Sequence, residues 1–466
     1  MDEIKEIKIS EAFAALPPEY PLDLSSRIRA ERRKRNSTIV VLDDDPTGTQ
    51  TVHDVPVLTE WNVKSISEEF RAKSDIFYIL TNSRSMGSNE ATELAAEIAR
   101  NLNKASDKTE RDFMVISRGD STLRGHYPGE VKSLHNYLKT THTNTILIPA
   151  FFEGGRYTIN DVHYVQDQEI LVPVSMTSFA KDKAFGFSQS DLKLYIEEKT
   201  KGEIKSSEVV SFSLQELRTT SPEAIADKLR KTEKGTTYIV NAVTYRDLEV
   251  FVLGLYLSGA AALLRTAASI VPVIANIKKQ PLLSSKDFQF DKKAGIVIIV
   301  GSYVPKTSRQ LEHLNMMENL HHIEVDVSRL LEQSEGMLKE LILEMNNRIA
   351  QGKDVVLYTS RKLITSDDPL TSLQIGNKVS DFMTSLVQGM VHQPKCIIAK
   401  GGITSSDTAT KGLNVKKALV IGQVAPGIPV WKLGEESKFP GLNYVVFPGN
   451  VGEDTTLKDV IMTIRG

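Results

Sequence analysis

Three consecutive carboxylates, Asp43, Asp44 and Asp45, follow the run Ile39-Val-Val-Leu42 and precede the turn Pro46-Thr-Gly-Thr49. A β-branched run of this kind reads as a strand buried on both faces, because branched side chains fill a covered pleat. The acids then fall at its C-terminal end, where open α/β sheets bind ligands. The plain reading is a solvated turn with an Asx cap; the functional reading is a site that tolerates three mutually repelling charges. A second cluster, Ser117-Arg-Gly-Asp-Ser-Thr-Leu-Arg-Gly125, packs Arg118, Asp120, Ser121, Thr122 and Arg124 into one short loop. Guanidinium groups grip carboxylates through paired hydrogen bonds, while hydroxyls and Asp read sugar hydroxyls. Such a loop suits a small polyoxygenated anion, with an internally paired surface turn as the alternative. Thr81-Asn-Ser-Arg-Ser85 adds Arg84. Phe152-Glu-Gly-Gly-Arg-Tyr157 is placed to close the same cleft. His163 is a candidate ligand or base, or a histidine that packs and hydrogen-bonds in a loop.

The second half carries a different chemistry. Ile296-Val-Ile-Ile-Val-Gly-Ser302 runs into a tight turn, and Pro305 and Thr307 open a helix. Lys395-Cys-Ile-Ile-Ala-Lys-Gly-Gly-Ile-Thr-Ser-Ser-Asp407 repeats the design, and Pro448-Gly-Asn-Val-Gly452 adds a third glycine turn. Glycines let a phosphate approach the backbone, and a helix N-terminus offers free N–H groups. Three such turns on one sheet edge read as a nucleotide site; each alone reads as a tight strand-to-helix connection. No G-x-x-x-x-G-K-[ST] or strand-borne GxGxxG occurs, so a P-loop and a dinucleotide fold are unsupported, as are zincin and α/β-hydrolase motifs.

These residues need strands and helices to hold them. Strands are expected at Thr38–Leu42, Asp75–Leu80, Phe113–Ser117, Asn144–Pro149 and Thr236–Val243. A helix is expected over Asn89–Lys104, capped by Ser88 or Asn89, from the spacing of Leu94, Ile98 and Leu102. In the second half strands are expected at Gly295–Val300, His322–Val327, Asp354–Thr359, Lys395–Ala399, Ala418–Ile421 and Tyr444–Phe447. Helices are expected at Thr307–Leu320, Gly336–Gln351 and Leu373–Val391. Alternation of this kind predicts an α/β protein of two domains, each with a mostly parallel sheet flanked by helices, with a cleft between them. The expected division is an N-terminal extension (1–37), a first domain (38–277), a polar, proline-containing linker (278–293) and a second domain (294–466).

A length of 466 residues suits two domains, and 41% hydrophobic with 25% charged residues is an ordinary soluble balance. A net charge of −2 gives no global field for nucleic acid, so any anion site must be local. The basic run Ala30-Glu-Arg-Arg-Lys-Arg35 reads as a charged helical face packed at an edge, with a nucleic-acid arm as the rival. Cys396 is the single cysteine, which rules out an internal disulfide and a cysteine-rich metal site and fits a cytoplasmic protein. The opening Met1-Asp-Glu-Ile-Lys-Glu lacks the pattern of a signal peptide. Val250–Leu264 is too short to span a bilayer and reads as a buried helix.

Asp43-Asp-Asp-Pro-Thr-Gly, Arg118-Gly-Asp-Ser-Thr-Leu-Arg-Gly, Gly301-Ser, Lys400-Gly-Gly-Ile-Thr-Ser and Pro448-Gly-Asn, in this order, resemble the four-carbon acid sugar kinases, a family long catalogued as a domain of unknown function. The resemblance spans roughly residues 38 to 464. It implies ATP- and Mg²⁺-dependent phosphorylation of threonate, erythronate or a 3-oxo-tetronate; related members act on 3-oxo-isoapionate. It implies an N-terminal substrate domain and a C-terminal nucleotide domain. By motif position, Ser302, Gly401, Gly402, Ile403, Thr404 and Gly449 would contact ATP. Asp44, Asp45, Arg84, Asp120, Ser121 and Arg124 would lie on the substrate side. Where the family often reads Asp-Asp-Phe-Thr-Gly-Ala and Gly-Gly-Glu-Thr, this chain has Asp44-Asp-Pro-Thr-Gly-Thr49 and Gly401-Gly-Ile-Thr404. Both departures bear on the substrate rather than on the kinase class.

On this reading, Gly401-Gly402 and the helix after Thr404 cradle the phosphates, and Mg²⁺ bridges phosphate oxygens with no protein metal site. Arg124, with Arg84, holds the sugar acid's carboxylate, and Asp45 or Asp120 accepts the proton, Asp45 being preferred. Closure about the linker would exclude water. The rivals are a nicotinamide-dependent sugar-acid dehydrogenase and a non-enzymatic sugar-acid sensor. The expected assembly is a homodimer, with no nucleic-acid or membrane partner.

Overall fold

The computed structural model describes residues 4–139, 144–288, 294–315, 317–361, 364 and 369–466. Contacts divide the chain into two units, Met1–Thr51 with Glu60–Lys279 and Val52–Thr59 with Gln280–Gly466.

The first unit is built on a parallel sheet in the order β10-β11-β6-β12-β5-β2-β4. Its strands are β2 (Thr38–Asp43), β4 (Ile76–Leu80), β5 (Phe113–Arg118), β6 (Asn144–Ile148), β10 (Val210–Phe212), β11 (Thr237–Val240) and β12 (Ala262–Thr266). All residues of β2 and β4 are buried, as expected of branched and aromatic runs covered on both faces. Because neighbours β5, β2 and β4 are parallel and in register, the segments that follow them emerge on one edge. The helix Ser88–Thr109 packs Leu94, Ile98 and Leu102 inward with five alanines between them and their flanks, Ala91, Ala95, Ala96, Ala99 and Ala105. Its N-cap is Gly87, not Ser88 or Asn89.

One expectation fails at Val250–Leu264. The helix Tyr245–Ser258 ends at Gly259, whose φ of +70° suits a residue without a Cβ, and β12 begins at Ala262. A continuous apolar run hides such a break, since a buried helix and a buried strand look alike by composition. A second, antiparallel sheet, β1 (Ile7–Lys8), β9 (Ile170–Pro173), β8 (Val162–Asp167) and β7 (Arg156–Ile159), packs Ile159, Tyr164 and Leu171 against Ala12 and Leu214. The basic run lies in the helix Ser25–Arg35. Arg32 donates to the Asp75 carbonyl at 2.9 Å, and Arg35 donates to the Tyr256 carbonyl at 2.7 Å. Both arginines therefore serve as packing ties.

The second unit has the strand order β3-β17-β18-β19-β16-β13-β15-β14. The central strands β13 (Ile296–Val300), β14 (Leu320–Val325), β15 (Asp354–Thr359), β16 (Cys396–Lys400) and β19 (Asn443–Phe447) are parallel. β3 (Val55–Leu58), β17 (Lys417–Ala425) and β18 (Ile428–Leu433) add an antiparallel flank, of which only the middle of β17 is expected from sequence. The helix Pro305–Leu314 starts at its proline and stops six residues before the expected Leu320, which opens β14 instead. The helix Val327–Ala350 begins well before Gly336, because Asp326 caps it by accepting from the Ser328 and Arg329 amides. Its Gln333 departs from helical geometry (φ −138°, ψ 50°). In the expected linker, Leu283 and Gln280 hydrogen-bond the β17 carbonyls of Gln423 and Ile421, while residues 289–293 lie outside the described residues. No helix among the described residues is long and apolar enough to cross a membrane.

Candidate functional site

In the first unit Asp43 is the last residue of β2 and Arg118 the last of β5, paired across the sheet. Arg118 donates to Asp43 Oδ1 at 3.1 Å and stands 3.6 Å from Asp44 Oδ1. Both members of the pair are buried, so Arg118 is spent inside the protein and is not a second arginine offered to a ligand. Among the described residues Asp43 Oδ2 has no hydrogen-bond partner, and Gly48 leaves no room beside it, since a Cβ there would lie 2.0 Å from that oxygen. Burial pushes the Asp43 carboxyl up to about 7, with Asp44 and Asp45 adding to the effect of burial and Arg118 opposing it.

Arg84, just past β4, ties the other acids together. Its Nη2 and Nε donate to Asp44 at 2.7 and 3.3 Å. Its Nη1 stands 3.6 Å from Asp45 Oδ2 and 3.9 Å from Asp120 Oδ1. Asp45 caps the short helical turn Pro46–Thr49 by accepting from Thr47 N at 2.8 Å through Oδ1. Its Oδ2 makes no hydrogen bond among the described residues and keeps some exposure. Asp120 is engaged more fully: Oδ2 accepts from Arg124 Nε at 2.7 Å and from the Thr122 hydroxyl. Burial alone would raise its pKa, but Arg84, Arg124 and these hydrogen bonds outweigh burial and hold the carboxyl well below the usual carboxylate range. Among the described residues Arg124 uses only Nε for hydrogen bonding. Its Nη1 is 3.8 Å from Asp182, and its guanidinium lies 4.9 Å from the centroid of the Phe179 ring. Apart from this contact with Asp182, the outer nitrogens of Arg124 make no hydrogen bond among the described residues, and their fork suits a planar anion. Ser121 is buried in the same loop.

His163 supports that loop. Its Nε2 donates to the Ser121 carbonyl at 2.7 Å, and Nδ1 accepts from the Thr158 hydroxyl at 3.0 Å. Burial lowers its pKa to about 4, so the ring is neutral with both nitrogens engaged. Two residues of this network carry no motif. Arg265 of β12 donates to Ser117 Oγ at 2.9 Å and to Glu130 at 3.1 Å, and Glu130 accepts from Ser83 at 2.5 Å. A Cβ on Gly119 would lie 2.4 Å from Arg265 Nη2, so the glycine of the Arg-Gly-Asp loop makes room for this guanidinium. Arg156 lies within the electrostatic reach of Asp120 and Arg124 and donates to the Gly154 carbonyl.

In the second unit β19, β16 and β13 are adjacent, with Phe447, Lys400 and Val300 in register, so three turns leave the sheet side by side. Gly401 has φ +116°, a conformation that favours glycine. A Cβ there would lie 3.1 Å from Ser302 Cβ; one on Gly301 would lie 2.4 Å from Thr404 Oγ1, and one on Gly449 3.0 Å from Ser302 Oγ. The structure thus brings Ser302, Gly401, Thr404 and Gly449 together. The helix begins at Gly402, with Gly401 as its cap, so Thr404 sits inside the first turn rather than ahead of it. The first helical bond runs from Ser405 N to Gly401 O at 2.9 Å, which leaves the amides of Gly402, Ile403 and Thr404 without intrahelical partners. The Ile403 side chain is 59% exposed, so only its backbone joins the cluster. Cations brace the turns: Arg361 donates to the Ser302 carbonyl at 2.8 Å and Lys306 to the Gly452 carbonyl at 2.8 Å. Thr307 Oγ1 donates to the Gly449 carbonyl at 3.0 Å.

Two family profiles match the chain, a sugar-binding N-terminal domain over residues 39–274 and a nucleotide-binding C-terminal domain over residues 297–457. Among solved structures, the chain is similar to a Salmonella typhimurium LT2 protein described as a candidate tRNA synthase. That likeness has a TM-score of 0.67 and 16% identity, covering 91% of this chain and 98% of the other. It is similar also to Haemophilus influenzae protein HI1011, of domain family DUF1537, with a TM-score of 0.63 and 17% identity over 91% of this chain and 100% of the other. At these identities the likeness speaks for the fold. No curated protein matches.

Proposed function

The chain belongs to the four-carbon acid sugar kinase family, and from that premise we propose that it is an ATP-dependent phosphotransferase acting on a hydroxyl of a small sugar acid. Threonate, erythronate, a 3-oxo-tetronate and 3-oxo-isoapionate are the substrates of that class. The observation that carries the reading is the pair of complementary sites. One unit presents the open fork of Arg124 beside the unbonded Oδ2 of Asp45. The other presents the free amides of Gly402, Ile403 and Thr404 beside Ser302 and Gly449.

The outer nitrogens of Arg124 take the sugar acid's carboxylate, and Arg84 Nη1 adds positive charge nearby. Asp45 Oδ2 accepts the proton of the acceptor hydroxyl as its oxygen forms a bond to the γ-phosphorus and the bond to the β-phosphate's bridging oxygen breaks. Asp120 is the weaker candidate for the base, because its arginines depress its proton affinity. The helix amides bind phosphate oxygens, whose negative charge the N-terminal dipole favours. Mg²⁺ arriving with ATP would offset the charge of the phosphate oxygens.

The test is a coupled ATP-consumption screen over four-carbon and branched five-carbon sugar acids, with thermal shifts for ATP and NAD run beside it. Sugar-acid-dependent ADP formation is expected. Stabilisation by NAD without ATP turnover would establish the dehydrogenase reading, and sugar-acid binding without either would establish the sensor.

A further inference from the structure

Lys400 has no part in the chemistry above, yet it is the last residue of β16 and fully buried at the root of the Gly401 turn. Its ammonium lies 3.8 Å from the centroid of the Phe447 ring and donates to the Pro448 carbonyl at 3.1 Å. The strands on either side contribute Val300 and Phe447 in register. The helix Pro305–Leu314 contributes Lys306, a second cation whose Nζ is tied to the Gly452 carbonyl. No carboxylate among the described residues stands within ion-pair distance of Lys400. A ring, one carbonyl and a like charge are poor compensation for a desolvated ammonium. Burial first, and Lys306 second, push Lys400 down to about 7.

Pro448, whose carbonyl Lys400 holds, immediately precedes Gly449, and Gly449 packs against Ser302 Oγ. Phosphate oxygens at that turn would add the negative charge that the neighbourhood of Lys400 lacks, across a medium that screens poorly. We propose that Lys400 is a positioning residue of the nucleotide site, largely neutral while the site is empty and protonated when polyphosphate lies against Gly401 and Gly449. The inference rests on the nucleotide-binding reading and adds a proton to it: the lone pair of Nζ takes up one H⁺ from solvent or buffer as the nucleotide docks. Both forms of Nζ keep an N–H for the Pro448 carbonyl, so the turn is held throughout and only the charge behind it changes.

The test is titration calorimetry of the full chain with MgADP near pH 8, about one unit above the empty-site value, in two buffers of different ionisation enthalpy. Wild type is expected to take up close to one proton per nucleotide. K400M, which has no titratable group, and K400R, which stays charged, are expected to bind MgADP with that uptake lost. If one variant fails to fold, the other carries the comparison. Equal proton uptake by wild type and a variant that binds MgADP overturns the inference and leaves the nucleotide reading intact. Failure of wild type to bind MgADP at all overturns both.

Discussion

Replacing Gly301 with alanine would place a methyl carbon 2.4 Å from Thr404 Oγ1, with Thr404 Cγ2 at 3.4 Å. Unbonded heavy atoms rest near 3.5 Å, so the hydroxyl must retreat by roughly 1 Å. Thr404 has little freedom to do so. The next residue is tied twice, Ser405 N to the Gly401 carbonyl at 2.9 Å and Ser405 Oγ to the Ala399 carbonyl at 2.7 Å. Overpacking of this kind costs about 1–3 kcal/mol. If the strain is relieved by displacing the Gly402–Thr404 amides, it appears as lost nucleotide affinity of about 5- to 150-fold, at about 1.4 kcal/mol for each tenfold. Removing the obstructing hydroxyl should undo the damage. Calorimetric affinities for MgADP should therefore show G301A as the worst variant, T404A as mild, and G301A/T404A close to T404A alone, a coupling of about 1–3 kcal/mol. Binding by G301A within twofold of wild type, or simple addition of the two penalties in the double variant, would refute the claim that this turn receives the phosphates.

Asp45→Asn should lower kcat on the order of 10²-fold or more with a smaller effect on sugar-acid KM, and near-normal turnover would move the base elsewhere. Arg124→Met removes a charge-assisted grip worth about 1.5–3 kcal/mol, so sugar-acid KM should rise about 10- to 150-fold in steady-state assays, and an unchanged KM would assign the carboxylate to another residue. Lys400 also makes a prediction about the empty protein. Its folded value is about 7 against an ordinary 10.5, so between those limits the unfolded chain binds more protons and stability rises with pH. The slope is up to about 1.4 kcal/mol per pH unit, and below the folded value this group adds none. Melting curves of ligand-free wild type and K400M should therefore diverge on raising the pH above neutrality, and parallel curves would contradict the assignment.

The parallel core of each unit was legible because strands such as Thr38–Asp43 are short, branched and followed by polar turns. Periodicity likewise announced the Leu94, Ile98, Leu102 face. Illegible were elements whose signal is shared. The run from Val250 to Leu264 contains a helix, a glycine stop and β12, and only Gly259-Ala-Ala marked the division. Losing β12 meant losing Arg265, whose guanidinium fills the space that Gly119 vacates. Clustering of Asp, Arg and Ser types foretold that the three strand ends meet, but composition could not say which arginine faces inward. Arg118 is consumed by Asp43, whereas Arg124 keeps an open fork. Lys400 was visible as part of a motif, but its burial follows from register with Val300 and Phe447, which only the folded sheet reveals.

Because Val55–Leu58 pairs with β17 while the chain on both sides of residues 52–59 belongs to the first unit, the polypeptide passes between its units at Thr51, Thr59 and again at Lys279. A gene fragment starting at Gln280 would encode a nucleotide-binding sheet with one strand missing and a bare row of amides and carbonyls along β17, the kind of edge that recruits other chains. A single cut at Lys279 therefore cannot part the two units without breaking the pairing of β3 with β17.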